Sequence, residues 1–277
     1  MTQQLRSMLF APGNKAELLQ KFTKIQPDAA VIDLEDAVPD SEKNAARENV
    51  KEFGTSFKNE KFSVFVRVNP VSSEFFESDI QATGPEIDGI VIPKISSVEE
   101  LQKAESLLST SALANRIVVG IETVRGLTSA PDILLRSSVI AAYFGAEDYI
   151  ADLGGVRTDS NEEVFFARSQ MGIAGRLTGI PVIDQIVANF SDTERFKRES
   201  RQARSLGFTG KLCIHPSQVS LANESFSPTE QEISRAKELL SNYEEAVSQG
   251  SASIVFDGQM IDEALAKQAR RILDLSD

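Results

Sequence analysis

Val139-Ile-Ala-Ala-Tyr-Phe144 runs directly into Gly145-Ala-Glu-Asp148. A short apolar run without polar alternation is the pattern of a strand covered on both faces, as in a parallel sheet. The same arrangement, apolar run then polar ending, recurs in both directions along the chain. Upstream, Ile117–Ile121 leads into Glu122-Thr123, Ile90–Ile92 into Pro93-Lys94, and Val64–Val66 into Arg67-Val68-Asn69. Further back, Ala29–Ile32 leads into Asp33-Leu34-Glu35-Asp36 and Ser7–Phe10 into Pro12-Gly13-Asn14. Downstream, Ile180–Ile183 ends in Asp184, and Lys211–Ile214 ends in His215-Pro216. Segments with helical spacing lie between the runs. Eight such units closing on themselves predict an α/β protein, a (β/α)8 TIM barrel whose active site sits at the C-terminal strand ends. Carboxylates, an arginine, a lysine and a histidine are then expected on one rim.

The helices are read from periodicity and from their ends. Lys15–Lys24 carries Ala16, Leu18, Leu19 and Phe22 at helical spacing. Ser97-Val-Glu-Glu100 has a capping-box pattern, and Asn161–Leu177 and Asp192–Leu206 each stop near a glycine, Gly179 and Gly207. Past the eighth strand the character changes. Ser227-Pro-Thr-Glu230 predicts a helix start, with Ser227 as N-cap and Glu230 closing the box, and the helix is expected to reach about Tyr243. A β-like run Ala252–Phe256 and a last helix from about Asp262 follow. The expected organisation is a barrel over residues 1–226 and a C-terminal helical extension over 227–277, lying near the barrel mouth or reaching a neighbour.

Length and charge narrow the function. The 277 residues suffice for one barrel with a short extension, and 41% are apolar. A net charge of −12 without a Lys/Arg block makes nucleic acid and anionic membrane poor partners, and neither is expected. No run approaches the length of a membrane span, and the opening Met1-Thr-Gln-Gln4 lacks a signal-peptide pattern. The one cysteine, Cys213, fits a reducing compartment, so a cytoplasmic location is expected.

On the rim, Glu122 and Asp148 terminate neighbouring strands about 4.8 Å apart, so both can approach one ion. Two carboxylates, with other positions left to water and substrate oxygens, is the usual way to hold Mg2+. With a single histidine, a multi-His zinc or iron site is unavailable. Either acid can equally be a salt-bridge partner. Arg67 can stabilise an oxyanion or bind a carboxylate, or it can neutralise Asp33, Glu35 or Asp36. Lys94 reads as a partner of those acids in preference to a Schiff-base lysine. A Cys213/His215 dyad is disfavoured because Cys213 lies within an apolar strand run. No serine-hydrolase elbow, P-loop or dinucleotide fingerprint is present.

Ordered motifs then add a resemblance. Arg6-Ser-Met-Leu-Phe-Ala-Pro-Gly-Asn14, Asp33-Leu-Glu-Asp-Ala-Val38, Val66-Arg-Val-Asn69, Ile92-Pro-Lys94 and Ile121-Glu-Thr-Val-Arg-Gly126 come first. Phe144-Gly-Ala-Glu-Asp-Tyr149, Leu206-Gly-Phe-Thr-Gly-Lys211, Ile214-His-Pro-Ser-Gln218, Phe226-Ser-Pro228 and Phe256-Asp-Gly-Gln-Met-Ile-Asp262 complete them. The set resembles the citrate lyase β-subunit-like proteins of the HpcH/HpaI aldolase superfamily, which includes malyl-CoA and citramalyl-CoA lyases. It spans nearly the whole chain.

The resemblance implies a Mg2+-dependent barrel that makes or breaks a carbon–carbon bond beside a CoA thioester, with acetyl-CoA and a 2-oxo acid as products of cleavage. It implies Glu122 and Asp148 as metal ligands, Arg67 on the substrate oxygens, and Asp262 as acid/base delivered from an adjacent subunit of a homotrimer. It places CoA along Phe10, Asn14, Lys15 and Lys21, with Ile214 and His215 at its far end; Glu17 stands where some relatives have a lysine. The resemblance leaves two other enzymes open, a citrate lyase β subunit acting on a citryl thioester and a malyl-CoA thioesterase. His215 departs from the Asn expected in true citrate lyase β subunits, which favours a stand-alone lyase. A binding protein on an inherited barrel is the non-catalytic alternative, opposed by the intact Glu122, Asp148, Arg67 and Asp262.

Overall fold

The computed structural model describes residues 4–276 except position 110; residues 1–3, part of the stretch read above for a leader, lie outside it. Two compact units divide between Asn223 and Glu224. The first contains a closed barrel of eight parallel strands in sequence order. These are β1 (Ser7–Pro12), β2 (Ala29–Asp33), β3 (Ser63–Arg67), β4 (Gly89–Ile92), β5 (Ile117–Ile121), β6 (Val139–Phe144), β7 (Val182–Asp184) and β8 (Gly210–Cys213). The predicted TIM barrel is the fold observed.

Helices fill the crossovers: α1 (Ala16–Leu19), α2 (Phe22–Ile25), α3 (Lys43–Phe57), α4 (Phe76–Ala82), α5 (Val98–Leu108), α6 (Val124–Leu134), α7 (Ala146–Leu153), α8 (Glu162–Thr178) and α9 (Thr193–Ser205). The helix expected over Lys15–Lys24 is two single turns instead. The Lys21 N–H bonds to Leu18 at i−3 rather than i−4, tightening the chain between α1 and α2. Ser97 caps α5 through the Glu100 N–H, while the Glu100 carboxylate turns back to the N–H of Ser96. Gly179 closes α8 in the left-handed conformation, as its position predicted.

The barrel interior follows from alternation. One buried cluster draws from all eight strands: Met8, Ala29, Val31, Phe65, Val91, Val118, Ala141, Tyr143, Ile183 and Leu212. Full burial of each large apolar side chain contributes roughly 1.5–3 kcal/mol. Counting on by two from these positions aims Phe10, Asp33, Arg67, Glu122 and Ile214 at the bore or its mouth. The intervening positions face the helices.

Asp184 belongs to the latter set, and here the reading of every strand-end acid as a rim group fails. Its carboxylate is fully buried and takes two hydrogen bonds from Arg168 of α8, at 2.9 and 3.0 Å, and one from Lys211 at 2.7 Å. Because Ile183 points inward, Asp184 must point outward, and the ion pairs lock β7, β8 and α8 together.

After α10 (Pro216–Phe226), the second unit comprises α11 (Glu230–Ser248), a hairpin of β9 (Ile254–Phe256) and β10 (Gln259–Ile261), and α12 (Glu263–Asp274). Its own core includes Leu239, Leu240, Tyr243, Phe256, Ile261 and Ala266. The capping box is Thr229 with Glu232, two residues on from Ser227 and Glu230. Thr229 accepts from the Glu232 N–H while the Glu232 carboxylate accepts from the Thr229 N–H. No helix among the described residues is long and apolar enough to cross a membrane.

Candidate active site

Three consecutive strand ends build one charged cluster at the barrel mouth. Arg67, last in β3, grips Asp33, last in β2, through two bonds of 2.7 Å from Nε and Nη2. Its Nη1 lies 2.9 Å from Glu35, and its guanidinium sits 5.0 Å above the Phe10 ring. Lys94, just beyond β4, reaches Glu35 at 2.7 Å, Asp36 at 3.0 Å and Asp148 at 3.5 Å. Lys94 holds a left-handed backbone with φ of 56°, a conformation costing on the order of 1–3 kcal/mol for a non-glycine residue. The three carboxylate contacts hold it there. Burial works most strongly against the Lys94 ammonium, but the hydrogen bond and charge of Glu35, joined by Asp36 and Asp148, together outweigh it and raise the pKa, which removes the free amine that Schiff-base chemistry needs.

Glu122 follows β5 and is almost wholly buried. Burial pushes its carboxyl up to about 7, with Glu35 and Asp148 adding to the rise while Tyr143 and Arg67 oppose it. Burial likewise raises the Glu35 carboxyl, although Arg67 and Lys94 pull the other way. Asp148 lies in the first turn of α7, half exposed. Oε2 of Glu122 is buried without a hydrogen-bond partner. Five carboxylates (Asp33, Glu35, Asp36, Glu122 and Asp148) thus surround two cations, and one buried carboxylate oxygen has nothing to bind. Among the described residues no three His, Cys, Asp or Glu side chains come together as a metal cage. A hard cation held by two carboxylates and otherwise by water and substrate oxygens needs no third such side chain. The donor set and the orphaned oxygen therefore fit a divalent cation.

The remaining candidates lie around this cluster or apart from it. Phe10 is inside the mouth, edge-on to Tyr143 at 6.4 Å. The Asn14 amide donates to Glu42, while its Oδ1 is buried without a partner. Lys15 and Lys21 are exposed at the starts of α1 and α2. His215 stacks on Phe190, 4.4 Å between ring centroids and 13° from parallel, beside an Ile214 that is 40% exposed. The Ser217 N–H donates to His215 Nδ1 at 3.2 Å, so Nδ1 is the acceptor. Cys213 is buried and burial pushes its thiol up to about 12, which makes a Cys/His dyad untenable.

Asp262 belongs to the second unit, where its Oδ1 accepts from the N–H groups of Ala264 and Leu265 and caps α12. Strand-end reasoning passed over Tyr143, although it stands in the apolar run that leads into Gly145. Alternation with Ala141 was the available signal.

A family model described as HpcH/HpaI aldolase/citrate lyase matches residues 6–216. A citrate lyase subunit beta-like protein of Deinococcus radiodurans is 44% identical over 273 residues, 97% of this chain and 96% of that one. A mitochondrial citramalyl-CoA lyase of Rattus norvegicus is 29% identical over 98% of this chain and 86% of its own length. Among solved structures, protein CitE of Mycobacterium tuberculosis in complex with magnesium, acetoacetate and coenzyme A superposes with a TM-score of 0.84. It is 25% identical and covers 100% of this chain and 99% of that one.

Proposed function

Because the chain belongs to the HpcH/HpaI aldolase/citrate lyase family and is a lyase-family enzyme, we propose that it cleaves or forms a 3-hydroxyacyl-CoA of the malyl-CoA or citramalyl-CoA type. Cleavage gives acetyl-CoA and a 2-oxo acid. The observation that carries this reading is the partnerless Oε2 of buried Glu122, set among acids beside the Arg67 guanidinium. Glu122 and Asp148 would hold Mg2+. Bound there, the ion supplies positive charge for the oxygen whose charge changes as the carbon–carbon bond breaks or forms.

The chain's own residues do the rest. Arg67 is pre-oriented by Asp33 and Glu35, so it meets a developing oxyanion without reorganisation. As the bond breaks the substrate hydroxyl gives up its proton to solvent and becomes the carbonyl of the 2-oxo acid, the electron pair of the broken bond passes to the thioester as an enolate, and Asp262 in its acid form protonates that carbon. In condensation the same carboxylate removes the acetyl-CoA α-proton. We assign Asp262 to the site of a neighbouring copy in a homotrimer. Asp262→Asn keeps an N-cap oxygen and should fold normally, whereas Asp262→Ala also loses about 1 kcal/mol of capping. Mixing Asp262→Asn with Glu122→Gln protein under subunit exchange should restore partial activity, and no recovery despite confirmed exchange contradicts delivery in trans.

CoA is a polyanion meeting an acidic protein, so a few local cations must hold it. Lys15 and Lys21 supply them, and the Phe190–His215 stack with Ile214 offers an apolar face to the far end. Lys15→Ala and Lys21→Ala should raise KM for CoA thioesters several-fold, increasingly masked by salt, with little change in kcat. A fall in kcat at unchanged KM would contradict this placement.

The test of the reading is a panel of malyl-, methylmalyl-, citramalyl- and 3-hydroxy-3-methylglutaryl-CoA with products identified by mass. A lyase releases acetyl- or propionyl-CoA plus a 2-oxo acid from at least one of the first three. Free CoA with an intact hydroxy acid would mean thioester hydrolysis instead.

A further inference from the structure

Between Glu122 and the barrel core lies a phenol that the reaction described so far leaves without a task. β5 and β6 run in register with Gly120 aligned to Tyr143. The Tyr143 ring is part of the interior cluster and is 1% exposed. Its buried hydroxyl makes no hydrogen bond of full geometry, yet it lies close enough to the Glu122 carboxyl to oppose the rise of that group through hydrogen bonding. Without that acceptor a buried hydroxyl would be costly, and phenylalanine would fill the same interior without the penalty.

Two glycines account for how tightly the pair is seated. A Cβ on Gly120 would fall 2.4 Å from Tyr143 Oη and 3.0 Å from Glu122 Oε1, so both oxygens converge over the space that glycine leaves. On the other side, a Cβ on Gly145 would fall 2.7 Å from Glu122 Cγ and 2.8 Å from Oε1. Any larger residue at either position would displace the carboxyl or the phenol.

We propose that Tyr143 is a positioning residue for Glu122, its O–H donating to the carboxylate so that the other oxygen is presented to the metal, and that Gly120 is the residue that admits it. This rests on Glu122 being a metal ligand. Ligating carboxylates are usually hydrogen-bonded in turn, and losing such an outer partner typically weakens metal binding about ten- to a hundredfold.

The test is Mn2+ titration followed by electron paramagnetic resonance on the full-length protein, with thermal melting of the metal-free forms. Tyr143→Phe keeps the packing against Phe10 and should melt near the wild type, yet bind Mn2+ about ten- to a hundredfold more weakly. Its kcat should largely return at saturating Mg2+. Gly120→Ala, which pushes the phenol aside without removing it, should weaken Mn2+ in the same direction, and Glu122→Gln should abolish binding. Wild-type Mn2+ affinity in Tyr143→Phe, with binding lost in Glu122→Gln, overturns the positioning role alone. Undiminished binding in Glu122→Gln, or none in the wild type, overturns the metal reading and this proposal with it.

Discussion

Arg67→Ala is expected to lower kcat for the CoA thioester by about a hundred- to a thousandfold, the usual loss when a pre-organised oxyanion donor is removed. KM should change far less, because the interaction strengthens where charge develops. The same substitution strips Asp33 and Glu35 of their guanidinium, leaving two buried carboxylates of which Glu35 keeps its ion pair with Lys94. Stability should therefore fall too, and melting must accompany the kinetics. Arg67→Lys separates the two effects. An ammonium restores one charge but not the two-pronged grip on Asp33, so it should recover stability more than turnover. Full recovery of kcat by lysine would mean that charge alone, without fixed geometry, suffices.

The largest expected stability effect lies away from the rim, at Asp184. Its carboxylate faces Arg168 and Lys211, all three fully buried. Removing one member of such a set leaves buried charge uncompensated and typically costs about 3–5 kcal/mol, so Asp184→Asn should shift the urea midpoint strongly at neutral pH. The pH dependence has a definite sign. Burial acts to raise the Asp184 pKa, but Lys211 and Arg168 together outweigh it and hold the carboxyl below its ordinary 3.8. A depressed carboxylate pKa stabilises the fold fully above the unfolded value and loses that contribution as pH falls through the folded one. The gap between wild type and Asp184→Asn should thus be full at pH 7 and shrink only in strong acid, below about pH 3.8. A gap that narrows already between pH 7 and 5 would contradict the ion-pair account.

The barrel was legible because its strands are covered on both faces and so read as unbroken apolar runs, each followed by a helix. Boundaries slipped where proline intervened: β7 begins at Val182 rather than Ile180, since Pro181 has no N–H to donate. The charged mouth was legible in kind, as acids with Arg67 and Lys94 nearby. Its pairing was legible as alternatives, with Arg67 able to neutralise Asp33, Glu35 or Asp36 and Lys94 a partner of the same acids; which acid each takes was not, because these pairs join residues far apart in sequence. Asp184 shows that ending a strand is insufficient for a place on the rim; the parity of the inward face decides, and Ile183 fixes it. The hairpin of β9 and β10 did have a signal in Asp257-Gly258. Both residues take positive φ, 50° and 75°, as a two-residue turn between paired strands requires. The role of Asp262 came from resemblance alone, because its local surroundings show only a helix cap.

Glu122 and Asp148 are expected to support metal-dependent carbon–carbon cleavage. The most direct measurement follows acetyl-CoA release from malyl-CoA and citramalyl-CoA by exhaustively chelated protein, before and after Mg2+ is added back, alongside Glu122→Ala and Asp148→Ala. The account predicts no release without metal, recovery with Mg2+ in the wild type, and no recovery in either folded variant. Undiminished release after chelation, or Mg2+-restored activity in Glu122→Ala, would contradict it.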